Sequence, residues 1–220
     1  MAKTKETAGT DRKGPGLESA YALESVADVE KLYAAWAVSY DGDFAQRHGY
    51  RLPEEVARGY ATAGGEGPIL DVGAGTGLVG EALGALGRGP VHGTDISAEM
   101  LQIAETKGCY AKTFRADITQ PLAIADGTYG GIVSAGTFTL GHLGPDPLSE
   151  LIRIVRPGGL FVIAVNEAHW RAAGFAKAFA GFGPRITGLS FEPVAIYARG
   201  ALHDHAKDMG RLVTFRTSQS

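Results

Sequence analysis

The stretch ILDVGAGTGLVG, residues 69–80, is the part of the sequence that decides the fold. A short apolar run ends at an acid, Asp71, and breaks at once into three glycines: Gly73, Gly75 and Gly77. A glycine turn after a strand lets a ligand approach the backbone closely, because no Cβ stands in the way. The spacing departs from the dinucleotide fingerprint G-x-G-x-x-G, since Leu78 takes the place of its third glycine. The stretch therefore predicts a ligand-binding turn between a strand and a helix.

Acidic residues after successive apolar runs indicate what the turn binds. A carboxylate at Asp71 would repel a pyrophosphate and could pair with a cation, directly or through water. Asp95 ends the run VHGTD, where an acid can accept hydrogen bonds from both ribose hydroxyls, and Asp117 in FRADI could accept from an adenine amine. Surface acids or helix caps are the alternative reading of Asp95 and Asp117. Together the three acids predict an adenosine that carries an amino-acid-like cation and no phosphate.

Apolar runs and helical stretches alternate through most of the chain. The predicted strands lie at 68–72, 91–95, 110–116, 129–134 and 159–165, and the predicted helices at about 77–87, 97–107, 147–156 and 168–182. Such alternation favours a parallel α/β sheet with helices on both faces. The last two runs, SFEPVAIYA and RLVTFRT, have only a polar loop between them and suit an antiparallel edge.

The chain before the glycine turn has a different character. Residues 1–16 are polar and predict a disordered tail, whereas 17–62 predict a helical cap in front of a main domain at 63–220. Four residues fall on one helix face: Tyr33, Trp36, Ala37 and Tyr40. An aromatic face of this kind is most often core packing. The segment Asp41-Gly42-Asp43 should interrupt the helix, and Pro53 should stand near the start of the next one.

Composition narrows the classes of function. The 220 residues are 45% apolar and 20% charged with a net charge of −3, which gives no basic surface for nucleic acid or an anionic membrane. The single cysteine excludes an internal disulfide and a thiolate metal cluster. The run HDHAKD at 203–208 is expected to be a solvated connection, so we predict no metal site.

No apolar run is long enough to span a bilayer and no signal-peptide core is present, so we expect a cytoplasmic protein. The oligomeric state cannot be read from the sequence.

Five segments resemble, in order and spacing, the successive motifs of class I S-adenosylmethionine (SAM)-dependent methyltransferases: ILDVGAGTG, VHGTDISAEML, FRADI, YGGIVSAGTFTLGHL and LIRIVRPGGLFVIAVN. The resemblance covers about residues 60–170 and implies a three-layer, Rossmann-like α/β fold. Its sheet would be seven-stranded and mostly parallel, with an antiparallel terminal hairpin. The segment LYAAWAVSYDGD also resembles the N-terminal Y-D-x-W-A-x-x-Y-D signature of small methyltransferases of the Williams–Beuren critical-region type. Here Ala34 stands where that signature has its first acid, so this chain lacks that carboxylate.

The resemblance implies a set of SAM-binding residues. The glycine turn and the backbone of Ser134 and Ala135 would contact the methionine part, and Asp71 would help to hold its ammonium group. Asp95 would hold the ribose. Tyr33 and Tyr40 would fold over the cofactor from the cap. The full set is Tyr33, Tyr40, Asp71, Gly73, Gly75, Gly77, Asp95, Ile96, Met100, Asp117, Ile118, Ser134 and Ala135.

The implied reaction is methyl transfer from SAM to an acceptor, with S-adenosylhomocysteine (SAH) as product. If the acceptor loses a proton, His142 is the first candidate for the general base, followed by Tyr33 and Tyr40. A thioether or a tertiary amine would need no base. The little sequence outside the core favours a small-molecule acceptor. Two alternatives stay open: an NAD(P)-dependent oxidoreductase of the same fold, and a protein that binds SAM without catalysis.

Overall fold

The computed structural model describes residues 26–138 and 143–219. Seven strands run in chain order: β1 Ile69–Val72, β2 Val91–Asp95, β3 Lys112–Arg115, β4 Tyr129–Phe138, β5 Val155–Asn166, β6 Ile186–Ala195 and β7 Met209–Thr217. Seven α-helices accompany them in the described ranges: α1 Val26–Trp36, α2 Leu52–Thr62, α3 Leu78–Ala85, α4 Ala98–Lys107, α5 Leu148–Arg153, α6 Glu167–Ala172 and α7 Phe175–Phe182. The predicted tail at 1–16 lies outside the described residues.

The strands form one sheet in the order β3-β2-β1-β4-β5-β7-β6. Every neighbouring pair from β3 to β5 is parallel, and β7 runs antiparallel to both β5 and β6. The seven-stranded, mostly parallel sheet and its antiparallel hairpin are therefore confirmed. The strand order reverses between β1 and β4, which is where α/β folds of this kind bind their ligands.

Two apolar clusters cover the two faces of the sheet. Alternate strand residues point to opposite faces, so Ile69 packs in one cluster and its neighbour Leu70 in the other. The first cluster holds buried residues of α1 to α4, and the second holds those of α5, α6 and α7. The result is the three-layer arrangement that the sequence predicts.

Two predicted elements differ from those observed. The single helix predicted over 168–182 is wrong, because Gly174 adopts a left-handed φ of 73° and separates α6 from α7. The predicted helix over 147–156 ends at Arg153, and β5 begins at Val155 rather than at residue 159. Pro157 directly follows the predicted helix, and a proline disfavours the helical conformation of the residue before it.

The N-terminal segment folds onto the open end of the sheet. The helix is interrupted earlier than predicted: α1 ends at Trp36, residues 37–39 form a turn, and the predicted interruption at Asp41-Gly42-Asp43 lies in a π-helical turn over Tyr40–Gln46. The predicted position of Pro53 is confirmed, since it stands in the first turn of α2. A single β-bridge joins Tyr50 to Tyr197 beyond β6. The division into a cap at 17–62 and a main domain at 63–220 stays a prediction.

The helices in the described ranges are all too short or too polar to cross a membrane.

Candidate cofactor site

A cavity of about 410 Å³ opens at the carboxyl ends of β1 to β4, beneath the N-terminal segment. Its walls come from the turn after β1, the end of β2, the segment after β3, the end of β4 and the cap. The residues that line it are Tyr33, Tyr40, Tyr50, Pro53, Gly73, Ala74, Gly75, Thr76, Leu78, Val79, Thr94, Asp95, Ile96, Met100, Ala116, Asp117, Ile118, Thr119, Ala135, Gly136, Thr137 and Leu143. The structure thus brings together ten of the thirteen predicted cofactor-binding residues. Asp71, Gly77 and Ser134 do not line the cavity.

The glycine turn is held against β2 by backbone hydrogen bonds. The amides of Gly73 and Ala74 both donate to the carbonyl of Thr94, at 2.9 Å each. A Cβ on Gly73 would lie 1.8 Å from Thr137 Oγ1, so the turn packs tightly against the end of β4. Gly75 has a φ of 53°, and a Cβ there would meet no heavy atom within 4 Å. The Gly75 backbone therefore faces unfilled space in the cavity, where a ligand could approach it closely.

Asp95 fastens the glycine turn to the start of α4. Its Oδ2 accepts from the amide of Gly75 at 2.8 Å, and its Oδ1 accepts from the amide of Ser97 at 2.9 Å. Burial raises the pKa of Asp95, while these hydrogen bonds lower it. Each carboxylate oxygen has about two acceptor positions, so both oxygens retain capacity for a ribose hydroxyl. Ser97 itself caps α4, and its Oγ accepts from the amide of Met100.

The segment after β3 forms the far wall of the cavity. Asp117 Oδ1 accepts from the amide of Thr119 at 2.9 Å and from its hydroxyl at 2.7 Å, which holds the loop in a tight turn. Ile118 and Met100 are buried, and both line the cavity. An acidic group beside apolar side chains is a suitable environment for an adenine ring with its amine.

Asp71 lies just outside the cavity and is fully buried. Its Oδ2 accepts a hydrogen bond of 2.6 Å from the hydroxyl of Tyr110, and its Oδ1 is buried with no hydrogen-bond partner among the described residues. The pKa of Asp71 is raised to about 7, because burial and the charge on Asp95 together outweigh the lowering by the Tyr110 hydrogen bond. The free Oδ1 is the atom through which this acid would reach a cation.

Tyr33, Tyr40 and Tyr50 form the cap side of the cavity. The rings of Tyr33 and Tyr40 lie 6.1 Å apart, and the buried Trp36 packs against both. The Tyr50 hydroxyl donates to the carbonyl of Ala135 at 3.2 Å, which connects the cap to β4. Burial, the neighbouring tyrosines and nearby acids raise the pKa of all three hydroxyls above their usual range. They remain protonated at neutral pH, which opposes a role as general base.

Asp41 joins the cap to the glycine turn. Thr76 Oγ1 donates to Asp41 Oδ1 at 2.5 Å, and Lys107 Nζ lies 2.6 Å from Asp41 Oδ2. Lys107 also pairs with Glu81 at 2.7 Å. Sequence reasoning missed this residue, although Asp41 follows Tyr40 in the quoted signature.

The remaining predicted residues fall elsewhere. His142 lies outside the described residues, but the adjacent Leu143 lines the cavity, and its carbonyl is 2.9 Å from His169 Nε2. Ser134 uses its hydroxyl to bond the carbonyl of Val72. The run at 203–208 belongs to no metal-binding group of three or more His, Cys, Asp or Glu within the described ranges.

Orphaned polar atoms test whether the site fits a nucleoside with a cationic tail. Thr94 Oγ1 is buried without a partner in the part of the chain that the structure describes, and Thr94 lines the cavity. Gly75 leaves open space, and Asp95 offers free acceptor positions. The residues present therefore fit SAM.

The chain is similar to known methyltransferases. Residues 69–159 match the family model described as a methyltransferase domain. The human Methyltransferase-like protein 27 is 33% identical over 156 residues, which cover 68% of this chain and 62% of the relative. The chain thus spans less than two thirds of that relative's length.

Solved structures support the same fold. A TehB-like SAM-dependent methyltransferase of Corynebacterium glutamicum has a TM-score of 0.54 and 23% identity, covering 76% of this chain and 88% of that one. The 4+2 cyclase SpnF has a TM-score of 0.65 and 17% identity, covering 90% of this chain and 98% of that one. The family match and the sheet order agree with these superpositions. Residues 69–159 thus match a methyltransferase domain, and the sheet has the strand order of the class I methyltransferase fold.

Proposed function

We propose that this protein binds SAM in the cavity at the ends of β1 to β4 and transfers its methyl group to a small-molecule acceptor. The proposal rests mainly on the charge of the residues that line the cavity. Asp95 and Asp117 are acidic, and the described lining includes no lysine, arginine or histidine. A pyrophosphate would meet carboxylates without a counter-charge there, whereas a sulfonium and an ammonium would be attracted.

Each wall has a distinct task in this proposal. The Gly75 backbone gives the methionine part close approach, Asp95 accepts from the ribose, and Asp71 Oδ1 is the acceptor for the ammonium, directly or through water. Ile118 and Met100 line the cavity together with Asp117 and offer apolar contact to the adenine. SAM supplies an electrophilic methyl group on a positively charged sulfur.

The cap completes the site for a direct displacement. Alignment of acceptor and methyl group and exclusion of water are the main contributions that a protein makes to such a reaction. Tyr33, Tyr40 and Tyr50 cover the cavity with aromatic surface, and Asp41 holds this cover against Thr76. The cavity volume lies near the lower end of the range for ligand pockets, about 300 to 1,000 Å³, which favours a small acceptor.

The experiment is release of SAH from SAM in the presence of a panel of small metabolites, with thermal protection by SAM measured on the same sample. Saturable protection together with acceptor-dependent SAH release supports the enzyme. Protection without release from any acceptor supports a protein that binds SAM without catalysis. Protection by NAD or NADP alone would support the oxidoreductase alternative and contradict the proposal.

A further inference from the structure

The cap side of the cavity carries information about the acceptor, provided that the proposed function holds. Asp95, Asp117 and the glycine turn occupy the end that we assign to the cofactor, which leaves Tyr33, Tyr40 and Tyr50 as the wall for the acceptor. Aromatic rings attract cations to their faces, because the ring face carries partial negative charge.

Acidic residues line the same cavity as this tyrosine wall. These are Asp95 and Asp117, and the described lining includes no lysine, arginine or histidine. Burial and the charge on Asp95 both raise the pKa of the Tyr33 hydroxyl. The electrostatic potential at the wall is therefore negative. It favours a positive charge and disfavours an anionic acceptor such as a carboxylate or a phosphate.

Among the residues that the structure describes, the wall also offers no group that could take a proton at neutral pH. The tyrosine hydroxyls hold their protons, and the Tyr50 hydroxyl already donates to the carbonyl of Ala135. An acceptor suited to these residues keeps no proton on the attacking atom and becomes positively charged as it reacts.

We propose that the acceptor atom is an uncharged thioether sulfur, and that the wall of Tyr33, Tyr40 and Tyr50 holds the resulting sulfonium product. In the transfer, the acceptor lone pair forms the new bond to the methyl carbon. The bond from that carbon to the sulfonium sulfur breaks, and its electron pair remains on sulfur as SAH. The positive charge moves to the acceptor atom, no proton is released, and no oxidant or base is required.

The test uses the full chain saturated with SAH, so that the wall faces no sulfonium. Calorimetry compares choline with its uncharged carbon isostere, 3,3-dimethylbutan-1-ol, which has the same shape. Choline is expected to bind about tenfold more tightly, because the two probes differ in charge alone. Equal affinities, or no choline binding, would overturn the inference.

Two substitutions of Tyr40 distinguish the loss of its aromatic ring from a general disturbance of the fold. Tyr40→Leu should reduce the preference for choline to near onefold, whereas Tyr40→Phe, which keeps the ring, should retain most of it. If both variants keep the full preference, the wall does not hold the cation and the inference fails. The SAH titration that begins each experiment reports the proposed function separately: absence of SAH binding to the wild type contradicts cofactor binding, and SAH binding without choline preference contradicts only the acceptor class.

Discussion

At the scale of single residues, Asp95 and Gly75 depend on each other. The carboxylate holds the Gly75 amide at 2.8 Å, and Gly75 needs the absence of a side chain to leave the cavity open. One residue supplies hydrogen bonds and the other supplies space. The two contributions can be separated by substitution.

Asp95→Ala is expected to weaken SAH binding by at least about a hundredfold, because each hydrogen bond to a charged acceptor contributes about 1.5–3 kcal/mol and two ribose bonds are lost. Calorimetric titration measures the change. Asp126→Ala is the matched control, since it removes an equal charge at an exposed carboxylate paired with Arg153. An affinity of Asp95→Ala equal to that of the control would mean that the ribose does not lie there.

Gly75→Ala is expected to reduce SAH affinity at least tenfold, because its methyl group enters the cavity wall. Gly87→Ala is the control: Gly87 also has a left-handed φ, 65°, and open space around it, but does not line the cavity. Both variants should lose about 1–2 kcal/mol of stability from backbone strain in urea unfolding. Similar SAH affinities for the two variants would contradict the close approach of the ligand to the Gly75 backbone.

At the scale of elements, the sheet could be predicted from the sequence and the cap could not. The strand ends at Asp71, Asp95 and Asp117 follow local apolar runs, so periodicity and the glycine turn suffice to place them. The contacts Asp41–Thr76 and Asp71–Tyr110 join residues 35 and 39 positions apart, and no local pattern reveals them. The break at Gly174 was missed because a glycine within a helical run does not by itself show that its φ is positive.

The link between the cap and the glycine turn should control cofactor affinity. Asp41→Asn keeps the shape of the side chain and removes its charge, so the partly buried pair with Lys107 is lost. We expect SAH affinity to fall about three- to tenfold, and the wild-type affinity to fall at high salt more than that of the variant.

Glu81→Gln is the control for this link, because Glu81 pairs with the same lysine without touching the cap. It should leave SAH affinity within about twofold of the wild type. If Glu81→Gln weakens binding as much as Asp41→Asn does, Lys107 rather than the cap contact is responsible.

At the scale of the whole molecule, the raised pKa of Asp71 makes stability depend on pH. Folding raises this pKa from 3.8 to about 7, so between these values the folded state holds a proton that the unfolded state has released. The free energy of unfolding therefore falls as the pH rises from about 4 to about 7, by a few kcal/mol, and this contribution is constant above pH 7.

Asp71→Asn removes that titration and isolates it from the rest of the chain. Arginine neighbours lower the pKa values of Glu150 and Glu167 to about 2, so their effects are complete above pH 4.5 and do not overlap. Urea unfolding from pH 4.5 to 8 should show a smaller loss of stability in the variant. Parallel profiles of wild type and variant would contradict the assigned pKa.

The central claim is that the cavity at the ends of β1 to β4 is built for SAM, and calorimetric titration of the full chain with SAH tests it most directly. We expect saturable binding with one SAH per chain and no heat of binding from NAD or NADP at the same concentrations. Saturable binding of NAD or NADP, with none of SAH, would contradict the account.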